Sequence, residues 1–178
     1  MANMNKDNAA ADVKKAGKTK TKTGKGKMTA LARLKRAGKA VVYTNDNWKF
    51  RVTVVMCGSD EMKSVMADNV DGGSEDFNVD SMSGLTLEST CGQSSMRLRH
   101  YLLWVNTQAG IDCIGTIAHE AVHVAGLALS SAEAPCDIDD TRSSECVAYV
   151  VESLVKFSVG ILVNLGIVSG KAVQNGIA

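Results

Sequence analysis

Between Ile114 and Leu129 the chain reads IGTIAHEAVHVAGLAL, and within that run His119 and His123 stand four residues apart with Glu120 beside the first. Four residues are one turn of an α-helix, about 6 Å along its axis, so both imidazoles leave such a helix on one side. The surrounding residues are Ala, Val, Ile, Leu and Gly, and the polar trio therefore enters a helix that otherwise belongs in a core. Ile111, Ile114, Ala118, Val122, Ala125 and Leu129 recur at steps of three and four and predict its buried stripe. His119 and His123 fall with Thr116 and Gly126 on an adjoining stripe, at the edge of the core. A chain built on this helix must supply a layer to cover it and partners for the three polar groups, whose unpaired desolvation costs on the order of several kcal/mol.

Two imidazoles converging from one turn suit a tetrahedral Zn²⁺ with Zn–N distances of roughly 2.0 Å. The neighbouring Glu120 is placed to take a proton from water bound to such an ion. The plainer reading is a solvated His, Glu and His making surface salt links, against which the apolar neighbours argue. A catalytic zinc site needs a third protein ligand, with one position left for water. The xxGxxH continuation fails here: Gly126 stands at its glycine, but Leu129 occupies the place of the third histidine. Glu145, in SSECVAYVVESL and 22 residues after His123, is the better candidate. A carboxylate entering a nearly continuous apolar helix calls for a cation, and a metal supplies one; the alternative is a partner for the helix dipole. Tyr149, one turn further on the same face, either hydrogen-bonds a ligand or donates to a developing oxyanion. Its other reading is a boundary residue with a wet hydroxyl.

Rival constellations are thinner. Cys136 and Cys146 could complete a closed, structural Cys₂His₂ site with the two histidines, but a spacing of ten is not a knuckle spacing. A Cys113 and His119 nucleophile pair has no supporting signal. His100, in LRHYLLWVN, reads as a sheet residue. Five cysteines, an odd number at irregular spacing, point to reduced thiols. With no apolar segment behind the charged N-terminus, no signal peptide is read and a cytoplasmic protein is expected. Cys146 to Leu165 is apolar but interrupted by Glu152 and Lys156, which predicts a buried helix rather than a membrane span.

The net charge of +1 conceals a division. Residues 1–39 carry 12 Lys and Arg against 2 Asp, or +10, which leaves the remainder at −9. Residues 1–27 show no apolar period and are expected to be disordered. They read either as a nucleic-acid arm held by phosphate contacts or as a solubilising extension. Thr29 to Ala37 predicts a short helix capped by Thr29 and stopped by Gly38. Residues 39–57 predict a hairpin, with AVVYT and WKFRVTVVMC flanking Asn45, Asp46 and Asn47. A helix is expected from Ser59 to near Asn69, then an acidic, Gly-rich loop from Val70 to Ser83 that could act as a lid. Leu85–Leu87 and Leu98–Asn106 read as strands. After a loop at 130–140, whose Asp137, Asp139 and Asp140 are placed to cap the next helix, Thr141–Gly160 reads as a second long helix. Val159–Leu165 extends it beyond a break near Gly160, and residues from Ser169 are expected to fray.

HEAVH followed about two dozen residues later by a helical ExxAY resembles the gluzincin branch of zinc metallopeptidases. More closely, the stretch from Leu98 to Val155 is similar to small HExxH proteins encoded by tailed bacteriophages, in which a Leu- and Trp-rich strand precedes the motif helix. The resemblance implies a minimal zincin-like α+β domain over residues 40–178, with a small, mostly antiparallel sheet packed on the HExxH helix and a C-terminal helix. It implies Zn²⁺ held by His119, His123 and Glu145, Glu120 as general base, and a host cytoplasm as the place of action. The expected activity is metal-assisted peptide hydrolysis, with a protein or peptide as substrate and no membrane partner. The alternative is a phage structural or host-interaction protein with a non-catalytic zinc site and a nucleic-acid-binding tail. One departure is visible: thermolysin-type gluzincins carry an Asp one turn after the ligand glutamate, where this chain has Tyr149.

Overall fold

The computed structural model describes residues 28–69, 78–88, 98–132 and 141–169. The basic arm at 1–27, the part of the expected lid loop at 70–77, the capping aspartates with Cys136 at 133–140, and the expected frayed end at 170–178 lie outside the described residues. The fold is α+β. Four strands, β1 (Ala40–Asn45), β2 (Phe50–Cys57), β3 (Gly84–Glu88) and β4 (Arg99–Asn106), form a mixed sheet in the order β1-β2-β4-β3. β1 and β3 pair antiparallel with β2 and β4 respectively, and the central pair β2 and β4 runs parallel, with Val54 beside Leu103.

The central strands are covered on both faces, which is why VTVVMC and YLLWV read as unbroken apolar runs rather than alternating ones. Phe50, Val52, Val54, Met56, Tyr101, Leu103 and Val105 point to one face. There they meet two long helices, α3 (Cys113–Ser131) and α4 (Thr141–Asn164). Val55, Cys57, Leu102 and Trp104 point to the other, under α1 (Ala30–Arg36) and α2 (Ser59–Asn69). The result is a three-layer domain.

Local chemistry sets the element ends where the sequence placed them. The Thr29 hydroxyl accepts from the Ala32 amide to start α1, and Gly38, at φ +71°, turns the chain out of it into β1. In the β1–β2 hairpin Asn45 Oδ1 accepts from the amides of Asn47 and Trp48, and Lys49 closes the turn at φ +52°. α1 belongs to the folded body although its residues fall within the basic 1–39 segment: Ala30 and Leu34 are buried, and Asp68 of α2 accepts from the Ala30 amide at 2.6 Å.

Two expectations change. The buried stripe of α3 is Cys113, Ile117, Ala121, Val124, Ala125, Ala128 and Leu129, whereas Ile114 and Val122, expected inside, are 36% and 51% exposed. The helix is apolar on nearly every side, so its own period does not select a face; the packing against β3 and β4 does. α4 shows no break at Gly160. Gly160 sits on the exposed side with nothing near its missing side chain, while Ser158, Ile161 and Leu162 are buried around it, and the helix continues unbroken to Asn164. Both α3 and α4 are long and apolar enough to cross a membrane by length and composition, and both bury one side in the same core cluster.

Candidate functional site

α3 is anchored over the β4–β3 half of the sheet. Tyr101 of β4 donates its hydroxyl to the carbonyl of Leu127 at 3.3 Å, and Cys113, fully buried, directs its thiol at the carbonyl of Asn106. This orientation turns His119 and His123 outward. Their Nε2 atoms face each other at 3.1 Å and their rings stand nearly perpendicular, with centroids 4.8 Å apart. Two nitrogens bound to one tetrahedral zinc at roughly 2.0–2.1 Å lie about 3.3 Å apart, so the observed separation fits two ligands of such an ion through the same ring atom.

Glu120, the next residue, is rotated about 100° around the helix axis. It is only 6% exposed and points inward to β3, where Thr86 Oγ1 donates to its carboxylate at 2.7 Å and lies 3.2 Å from its backbone carbonyl. β3 approaches closely because Gly84 has no side chain. A Cβ there would lie 2.5 Å from Thr116 Cγ2 and 2.9 Å from Glu120 Cγ. The alternation of β3 explains the division of labour: Gly84 and Thr86 face α3, while Leu85 and Leu87 pack into the opposite core.

The other nominated residues stand elsewhere. Glu145 and Tyr149 share the outer face of α4, both exposed, Tyr149 to 67%. Among the described residues no group of three or more His, Cys, Asp or Glu side chains is gathered that could hold a metal ion, so the structure joins His119 to His123 but does not bring Glu145 to them. Cys146, half-buried on α4, does not join them either, and Cys57, Cys113 and Cys146 are free thiols. Burial pushes the Cys113 thiol up, which disfavours the thiolate that a nucleophile pair with His119 requires. His100 is a sheet residue, its Nε2 2.8 Å from Thr53 Oγ1 across the β2–β4 pair. A cavity of about 370 Å³ lined by Trp48, Lys49, Arg99 and Ala132, among others, opens towards the C-terminal end of α3 and includes neither motif histidine.

Thr86 and Gly84 escaped the sequence reading. The available signal was a glycine at the head of a strand, which marks close approach of another backbone or helix. Compared with protein-family models, with curated proteins and with solved structures, the chain matches none.

Proposed function

We propose that this chain is a zinc-dependent metallopeptidase, and the observation that carries the reading is the facing pair of His119 and His123 imidazoles beside a buried, oriented Glu120. His119 and His123 would hold the metal. When bound, zinc supplies Lewis acidity, which acidifies water and polarises a carbonyl. Glu120 accepts the proton of the attacking water and returns it to the departing amine, the two halves of general acid–base catalysis by one carboxylate. Glu145, which the sequence nominates as third ligand, and Tyr149, nominated as a donor to the developing oxyanion, both stand exposed on the outer face of α4, and Glu145 is not gathered with the histidine pair, so the reading rests on His119, His123 and Glu120.

A peptide substrate is supported by the sheet. β3 is the end strand of the described sheet, with β4 as its one strand partner among the described residues, and the free edge of an end strand accepts an extended peptide through main-chain hydrogen bonds. The test of function is Glu120→Gln in the zinc-loaded full chain. Peptide-library cleavage is expected to fall by on the order of 100-fold or more while one zinc per chain is retained; undiminished turnover would remove Glu120 from the chemistry. Glu145→Ala is expected to leave zinc affinity within about twofold of the parent, since Glu145 is not gathered with the histidine pair; a loss on the order of 10-fold or more would return Glu145 to the ligand set.

A further inference from the structure

We infer that Thr86 is a positioning residue for Glu120, seated by Gly84, and that it fixes the orientation in which the carboxylate meets substrate and water; this rests on the metallopeptidase reading. A free glutamate side chain has three rotatable bonds and loses entropy when held in one pose. A threonine side chain is stiff at χ1, so its hydroxyl is a fixed point on β3. That hydroxyl donates to Glu120 Oε2 at 2.7 Å, and no other described residue donates to either carboxylate oxygen. The hydroxyl reaches Oε2 at 2.7 Å and the Glu120 carbonyl at 3.2 Å, so Oε1 takes no donor from a described residue. A hydroxyl orients the carboxylate without neutralising its charge, as Lys or Arg in its place would. Gly84 is the second half of the device. It lies two residues earlier on the same face, and any side chain there would strike Thr116 and Glu120 and push β3 off the helix.

The experiment compares Thr86→Val, which keeps the β-branched shape and removes the hydroxyl, with Thr86→Ser, which keeps the hydroxyl, in the zinc-loaded full chain against a peptide library. Thr86→Val is expected to lower kcat on the order of 10- to 100-fold, with KM and zinc content changed less than about twofold. Thr86→Ser is expected to return kcat to within about threefold of the parent. A Thr86→Val enzyme with parental kcat, while Glu120→Gln is inactive, overturns the positioning role and leaves the metallopeptidase reading standing. Should Thr86→Val fail to fold, Thr86→Ala carries the same comparison.

A second arm is independent of turnover. In denaturant unfolding of the metal-free chain, the midpoint shift caused by Thr86→Val is expected to shrink by about half or more in a Glu120→Ala background, since the two residues are in contact. Additive shifts overturn the inference even where hydrolysis is seen. A parent chain that binds zinc and cleaves nothing overturns the metallopeptidase reading, and the unfolding cycle then still decides whether Thr86 holds Glu120.

Discussion

Adjacent residues on one helix perform opposite tasks here: His119 faces outward to its fellow imidazole, and Glu120 faces inward to a strand hydroxyl. HExxH imposes this split through the 100° step of the helix, and the pairing of the rings was therefore legible from spacing alone. What the spacing could not carry is the partner of Glu120, because Thr86 sits 34 residues earlier in the chain and has no motif of its own. A second residue-scale consequence concerns the thiols. Burial first, then the Glu61 carboxylate, pushes the Cys57 thiol up to about 12 from its ordinary 9.0. The folded state thus favours the neutral thiol. The stability this contributes is complete below pH 9 and is lost as pH climbs from there towards about 12. Cys57→Ala is expected to flatten the decline in unfolding midpoint across that window, and an unchanged slope would count against it. Site-resolved mass spectrometry with a water-soluble thiol reagent at pH 8 is expected to find Cys57 and Cys113 protected in the native chain and modified after unfolding.

At the scale of elements, most of the architecture follows from short-range chemistry. The hairpin, the Thr29 cap, the Gly38 stop, the Ser59 helix and the Leu98–Asn106 strand all fall within a residue or two of their sequence positions. The inward face of α3 did not, since a helix made of Ala, Val, Ile and Leu on nearly all sides presents several equivalent stripes. Its choice is made by the small side of β3, where Gly84 lets the helix settle. Gly84→Ala is accordingly expected to destabilise the fold by about 1–3 kcal/mol, as overpacking of a filled interior does. The two glycines make opposite predictions. Gly160→Ala, at an open and exposed position of a continuous α4, is expected to raise the denaturation midpoint, by about 0.5–1 kcal/mol. A fall would indicate that the helix needs its glycine.

The whole molecule joins a basic N-terminal segment to an acidic body, and α1 carries the exposed Arg33, Lys35 and Arg36 into the folded part. If that segment is a nucleic-acid arm, the full chain will shift labelled DNA at low salt, the shift will weaken steeply as salt rises, and deletion of residues 1–27 will abolish it. Retention by the truncated chain would place the binding elsewhere. Within the body, two core layers clamp the sheet, and the outward turn of α3 leaves the histidine pair on an open surface beside the edge strand. The account as a whole stands on that pair as a metal-binding unit. Elemental analysis after exhaustive dialysis tests it most directly: one zinc per chain is predicted for the parent and for Glu120→Gln, and almost none for His119→Ala or His123→Ala, whereas a parent without zinc, or zinc retained after either histidine is removed, would contradict it.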